Sequence, residues 1–385
     1  MGWTTKQLSL ALMMVVTGSI NTLSTKWADR TLSKGIDGTV RHFNHPFLQA
    51  VGMFLGEMSC LAVFYILFFW KRHKGEEFDI GPQTYNPLIF LPAAICDMTG
   101  TSIMYLGLNL TFASSFQMLR GAVMIFTALL SVAFLGRIIK RFMWFGMMVV
   151  LVGLVLVGLS DTLFGGENKN DINGIISGDL LIVMAQIIAA TQMVYEEKFI
   201  NKHNVPALQA VGFEGLFGFL VLGTLLVPMY FIRVGHGKFS GDPEGRLENS
   251  LDAFVQISNS WQIALATFGN IVSIAFFNFA GISITKEISA TTRMVLDSCR
   301  TLVIWMFALA VGWQAFIPLA FGIQAIGFVF LIIGMCIYNN IIIVPLINKC
   351  RGITPEEKEP LLSGDDTGIQ EESSNKPMYQ TAQNA

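Results

Sequence analysis

Seven ionisable side chains lie inside apolar runs of this chain: Glu57, Asp97, Arg120, Glu214, Arg293, Asp297 and Arg300. Each costs roughly 2.5–3.5 kcal/mol to place in the middle of a bilayer, so each needs a partner or a task. Arg293 and Asp297 are four apart and Asp297 and Arg300 three apart, which sets all three on one helix face. Two chemistries fit that face. One is a self-neutralising ladder of ion pairs; the other leaves a guanidinium over, whose planar fork can grip a phosphate or carboxylate. A related face carries Gln117 and Arg120, with Gly121 leaving room for a neighbouring backbone or a solute. Both segments open on hydroxyls, Thr111, Ser114 and Ser115 in one and Ser289, Thr291 and Thr292 in the other. Ser114 and Gln117 have the spacing of a capping box, and a capped N-terminus also favours an anion.

The carboxyl groups Glu57, Asp97 and Glu214 can relay protons or neutralise the arginines, Glu57 and Glu214 by pairing with Arg120 or Arg300. Tyr105 lies two turns beyond Asp97. The amides Asn21, Gln186, Asn270 and Asn278 can read a base or a sugar through paired donor and acceptor, or tie helices together. Enzyme signatures are missing: there is no Walker A loop, no His-Glu-x-x-His and no Gly-x-Ser-x-Gly in a plausible setting, and the five histidines fall in expected loops. No metal site or cofactor is expected.

What must position these groups is a membrane bundle. The chain has 385 residues, of which 53% are hydrophobic and only 14% charged, with 31 Phe and 19 Met, too much apolar surface for a water-soluble core. A net charge of -2 and the absence of a long basic run give no footprint for nucleic acid. Cys60, Cys96, Cys299 and Cys336 sit within apolar spans as small buried hydrophobes, while Cys350 follows the last span and could carry a palmitoyl chain. Windows of about 20 apolar residues give ten spans, near 6–26, 46–70, 87–109, 112–135, 142–160, 177–199, 206–232, 261–283, 288–311 and 315–343. The first is expected to be retained rather than removed as a signal peptide. Loops 161–176 and 233–260 read as solvated connectors, on the same lumenal side as loop 27–45.

Leu48-Gln49-Ala50-Val51-Gly52 returns as Leu208-Gln209-Ala210-Val211-Gly212, each copy opening a span with a glutamate inside it, and Phe134-Leu135-Gly136 lies over Ala310-Val311-Gly312. Spans one to five thus match six to ten. An odd number of spans per half inverts the second copy, so the expected fold is an all-α membrane protein with a 5+5 inverted repeat. Its expected units are residues 1–160, a lumenal linker at 161–176, residues 177–345, and a disordered tail at 346–385. Lys71, Arg72, Lys74, Arg137, Lys140, Arg141, Lys198 and Lys202 share the side of the termini, which makes both termini cytosolic; Arg30, Lys34 and Arg41 in loop 27–45 oppose that assignment. In the tail, Glu357, Leu361 and Leu362 form an acidic dileucine, an extended peptide suited to a clathrin-adaptor pocket.

Ser114-Ser115-Phe116-Gln117-Met118-Leu119-Arg120-Gly121 and Ser289-Ala290-Thr291-Thr292-Arg293-Met294-Val295-Leu296-Asp297-Ser298, with His45 to Cys60 and Ile271 to Arg300, resemble the F branch of the solute carrier 35 family, within the drug/metabolite transporters. The resemblance covers nearly all of residues 1–345. It implies a cavity lined by spans one to four and six to nine, and exchange of nucleotide sugar for nucleotide monophosphate. Where GDP-sugar transporters carry Phe-Tyr-Asn-Asn and Gly-Ala-Leu-Asn-Lys, this chain has Phe276-Phe277-Asn278-Phe279 and Gly281-Ile282-Ser283-Ile284-Thr285-Lys286. The expected function is secondary transport of a small organic anion anchored by Arg120, Arg293 and Arg300. A non-transporting membrane scaffold is the alternative. Lysosomal or late endosomal membrane is the expected location, with Golgi and mitochondrial membranes as alternatives, and a second copy of the chain is a candidate partner.

Overall fold

The computed structural model describes residues 4–75, 85–110, 119–164, 172–235, 242–312 and 318–338. Helix α1 (Thr5–Arg30) starts on a capping box, in which Thr4 Oγ1 accepts from the Gln7 amide at 3.2 Å and Gln7 Oε1 accepts from the Thr4 amide at 3.0 Å. Leu8, Leu12, Val16 and Ile20 repeat every fourth residue on its exposed face, as lipid contact requires. Helix α2 (Pro46–Lys74) opens with Pro at the first position and stops at Gly75, whose φ of 74° is left-handed. A short 3-10 turn at Pro87–Phe90 leads into α3 (Leu91–Leu110). Next come α4 (Val123–Leu135), α5 (Arg141–Phe164), α6 (Ile172–His203), α7 (Ala207–Phe231), the short α8 (Ser250–Asn259), α9 (Trp261–Glu287), α10 (Ala290–Ala310) and α11 (Pro318–Tyr338). Among the described residues, seven helical stretches are long and apolar enough to cross a bilayer, within α1, α2, the 3-10 turn with α3, α6, α7, α9 and α11.

The most extensive packing pairs helices far apart in sequence: α1 with α9, α2 with α7, α3 with α6, and α5 with α11. Glycines set the distances. A Cβ on Gly153 would meet the Gly327 carbonyl at 2.5 Å, and one on Gly327 would meet the Gly153 carbonyl at 2.8 Å; Gly146 and Gly334 face each other in the same way. Residue numbers rise on α5 as they fall on α11, so the pair is antiparallel. Gly212 against Leu61, Gly215 against Glu57 and Gly218 against Phe54 make α2 and α7 antiparallel as well. Gly136 and Gly312, aligned by the internal repeat, both hold left-handed φ, 64° and 72°.

Two expected loops, 27–45 and 233–260, carry structure. Strands β1 (Leu32–Lys34) and β2 (Val40–His42) form an antiparallel hairpin with Ser33 opposite Arg41, and α8 lies beneath it. Asp252 on α8 accepts from the Ile36 amide at 2.7 Å, from Gln256 Nε2 at 2.6 Å, and pairs with Arg41 at 2.7 Å. Burial opposes ionisation of Asp252, yet the Arg41 bond, the Ile36 amide and Gln256 together hold its carboxyl below the ordinary range. For the same reason Arg41 is held above its usual value despite desolvation. The histidines are not confined to loops: His42 ends β2, His73 lies in the last turn of α2 and His203 closes α6. The expected linker at 161–176 is shortened from both sides, since α5 runs to Phe164 and α6 starts at Ile172.

Candidate functional site

Polar side chains from six helices meet in the middle of the bundle. On α2, Glu57 is 3% exposed, and its Oε1 accepts from Asn278 Nδ2 of α9 at 2.6 Å. Asn278 Oδ1 in turn accepts from Arg293 Nη2 of α10 at 3.1 Å. The other terminal nitrogen of Arg293 donates to Glu196 Oε2 of α6 at 3.0 Å. Gln192, one turn earlier on α6, gives its amide hydrogens to Glu196 at 2.9 Å and to Glu214 of α7 at 2.7 Å. Arg293 reaches this position because Gly281 offers no Cβ; one there would lie 2.6 Å from Nε. Asp97 on α3 completes the group, within electrostatic reach of Glu57, Glu196 and Arg293. Glu57, Asp97, Glu196 and Glu214 thus face the single guanidinium of Arg293. Such a cluster in low dielectric needs further positive charge or protons to balance it.

A cavity of about 30 Å³ ends on this cluster, running from Pro46 and Phe47 at the start of α2 down to Glu57 and Asp97. That is room for a water or two. Both ends of the bundle are tied. At one, Arg137 Nη2 donates to the Ile288 carbonyl at 3.0 Å and pairs with Glu197 at 2.9 Å, while Glu197 accepts from the Ala290 amide at 3.0 Å. Lys6 pairs with Glu287 beside it. At the other, His45 holds Glu248 and Asp252.

The expected three-member ladder on α10 divides. Arg293 turns away to Glu196, whereas Asp297 keeps Arg300, with Nη2 to Oδ2 at 3.1 Å. Arg120 approaches the same carboxylate at 3.9 Å, and its side chain is 38% exposed. Arg300 also lies over the Phe277 ring, 5.1 Å from its centre. Pairing of Glu57 or Glu214 with Arg120 or Arg300 is not what forms; amides hold both acids instead. Asn21 bonds to Asn270, joining α1 to α9. Ser289 caps α10, accepting from the Thr292 amide at 3.0 Å. Gln117, the Tyr105 side chain, and the tail residues Glu357, Leu361 and Leu362 lie outside the described residues.

Sequence reasoning missed Gln192, Glu196 and Glu197. They lie inside the expected span 177–199 but not among its candidate residues, and α6 continues to His203. Their signal was the spacing of Gln192 and Glu196, four apart on one face, in a run with no helix breaker before Asn204.

Residues 8–159 match the EamA-like transporter family. Across 377 residues, 97% of this chain and 100% of the relative, the chain is 56% identical to solute carrier family 35 member F6 of Homo sapiens. Identity and coverage are the same for the Pongo abelii protein of that name. A crystal structure of a protein 14% identical in sequence superposes on 90% of this chain and 99% of the other with a TM-score of 0.60, a likeness of fold.

Proposed function

The chain belongs to the solute carrier 35 family of multi-pass membrane transporters, and from that premise we propose that it is a proton-coupled secondary transporter of a small organic anion, working by alternating access. The observation that carries this is the central network itself: helices of both sequence halves contribute to it, a cavity reaches it from one end, and closed contacts guard each end. In this reading all ten apolar segments span the membrane as two inverted halves. The antiparallel cross-half pairs support it, because exchanging α1 to α5 with α6, α7, α9, α10 and α11 carries the pairing pattern onto itself.

Roles follow from the contacts. Glu57, Asp97 and Glu214, joined by Glu196, take up the protons that balance their excess charge. Arg120 and Arg300, sharing one carboxylate, are the anion anchors; sharing leaves positive charge for a phosphate or carboxylate of the solute. Arg293 moves from anchor to network, since both terminal nitrogens are occupied. A nucleotide-linked metabolite is one solute of the right charge. The cavity must widen well beyond its present size to admit one, which is what opening of either end would supply.

Counterflow tests this. The purified full-length protein in liposomes, preloaded in turn with nucleotide monophosphates, amino acids and polyamines, should exchange an anionic solute, faster with a proton gradient. Arg120→Ala should weaken uptake, and Glu57→Gln should keep exchange but lose the gradient dependence. No flux across the whole panel would overturn the reading in favour of a scaffold. Sorting to an endolysosomal membrane through Leu361 and Leu362 belongs to the same proposal, and unchanged location after both become Ala would remove it.

A further inference from the structure

We propose that His45 is a proton-operated latch, a positioning residue that closes the cavity mouth when its imidazole is charged and loosens it when neutral. His45 precedes Pro46 as the N-cap of α2 and is 4% exposed. Its Nδ1 lies 2.8 Å from Glu248 Oε1 and its Nε2 lies 3.3 Å from Asp252 Oδ2. An imidazolium donates from both nitrogens and satisfies both acids at once. A neutral ring has only one N–H. One nitrogen then becomes an acceptor, which Gln256 Nε2, 3.4 Å from His45 Nε2, can serve. The ionic contact with Asp252 is lost in that state.

The latch reaches the cavity through Glu248. The carboxylate that accepts the His45 Nδ1 hydrogen bond also accepts from the Phe47 amide at 3.0 Å and the Leu48 amide at 3.4 Å, the first free donors of α2. Pro46 and Phe47 line the cavity, at the end away from Glu57 along α2. His45 therefore ties the connection between α7 and α9 to the start of the helix that carries Glu57. The charged groups facing it are Glu248 from that connection, Asp252 from α8, Asp29 from α1, and Arg41 of the hairpin, itself held by Asp37 at 3.0 Å. Carboxylates outnumber the one guanidinium among these groups. Imidazole is the side chain whose charge ordinarily changes across the pH range of membrane compartments.

Only the gating consequence rests on the transport reading; the latch does not. Hydrogen exchange of the full-length protein in nanodiscs, corrected for the intrinsic pH dependence of amide chemistry, separates the two because it needs no solute. Amides of segments 47–50 and 249–256 should open roughly tenfold more often at about pH 8 than at about pH 5.5, the scale of one lost buried charge contact. In His45→Gln that difference should vanish. Should that variant fail to fold, Glu248→Gln keeps an acceptor for the α2 amides while removing the charge, and its change should set in at lower pH. A wild-type protein with no pH difference, a difference that persists in His45→Gln, or an unaltered profile in folded Glu248→Gln would each overturn the latch. A latch that holds beside a failed counterflow screen would sink the transport reading alone.

Discussion

Arg293 holds the acidic cluster together, with one terminal nitrogen on Glu196 and the other on Asn278. Removing it leaves a buried carboxylate unpaired, so Arg293→Ala should destabilise the protein by about 3–5 kcal/mol, measured as an earlier thermal transition in detergent. Glu57→Gln should barely move that transition, because its remaining oxygen still accepts from Asn278. Equal losses in the two variants would mean that the network is not organised around the guanidinium. Glu57, Glu214, Asn278 and Arg293 were legible in the sequence because a polar residue in an apolar run stands out. Glu196 was not, since it stands with Glu197 and Lys198 in a charged run near the end of the apolar stretch. His45 was hidden for the opposite reason: its surroundings are polar, and burial there comes from a tertiary cap that no local pattern announces.

Helices announced themselves through hydropathy, and each expected span coincides with one or with part of one among the described residues. The hairpin and α8 did not. Three-residue strands and a ten-residue helix have little preference of their own and form against each other, with Asp252 as the shared partner. Asp252 has a folded value below its ordinary one of 3.8, so its contribution is fully present above that pH and fades as pH falls through the lower, folded value. As pH falls, the Asp252 contacts to Arg41 and the Ile36 amide should therefore hold through mildly acidic conditions and release only below about pH 4, which exchange at Ile36 would record; release on acidification already near pH 6 would contradict the sign. Close approach is the other element-scale constraint. A Cβ on Gly56 would lie 2.1 Å from the Ile271 carbonyl, whereas one on Gly223 meets nothing within 4 Å. Gly56→Ala should thus cost about 1–3 kcal/mol, while Gly223→Ala, relieved of glycine's backbone entropy inside α7, should gain roughly 0.5–1 kcal/mol. Thermal unfolding of the two variants side by side distinguishes crowding from a general intolerance of substitution.

At the scale of the whole molecule, the two closed ends are built from unlike parts. One is a hairpin, a short helix and a histidine; the other is Arg137 joined to Glu197 and to the turn between α9 and α10. Cross-half pairs run between them, and packed antiparallel helices such as α5 and α11 transmit displacement because their glycine contacts leave no slack. If opening is a rocking of one half against the other, the ends are coupled and cannot loosen independently. Arg137→Ala tests this without knowledge of the solute. Loss of its bond to the Ile288 carbonyl should raise exchange in segment 286–290 roughly tenfold. Alternation adds a second expectation: segments 32–45 and 249–256, at the far end, should become better protected, since the state open at the Arg137 end is the state closed at His45. The coupling should correspond to about 1–3 kcal/mol, ample for exchange to detect. A rise confined to segment 286–290 would mean that the ends move separately, and the symmetric packing would then be a scaffold without a transport cycle.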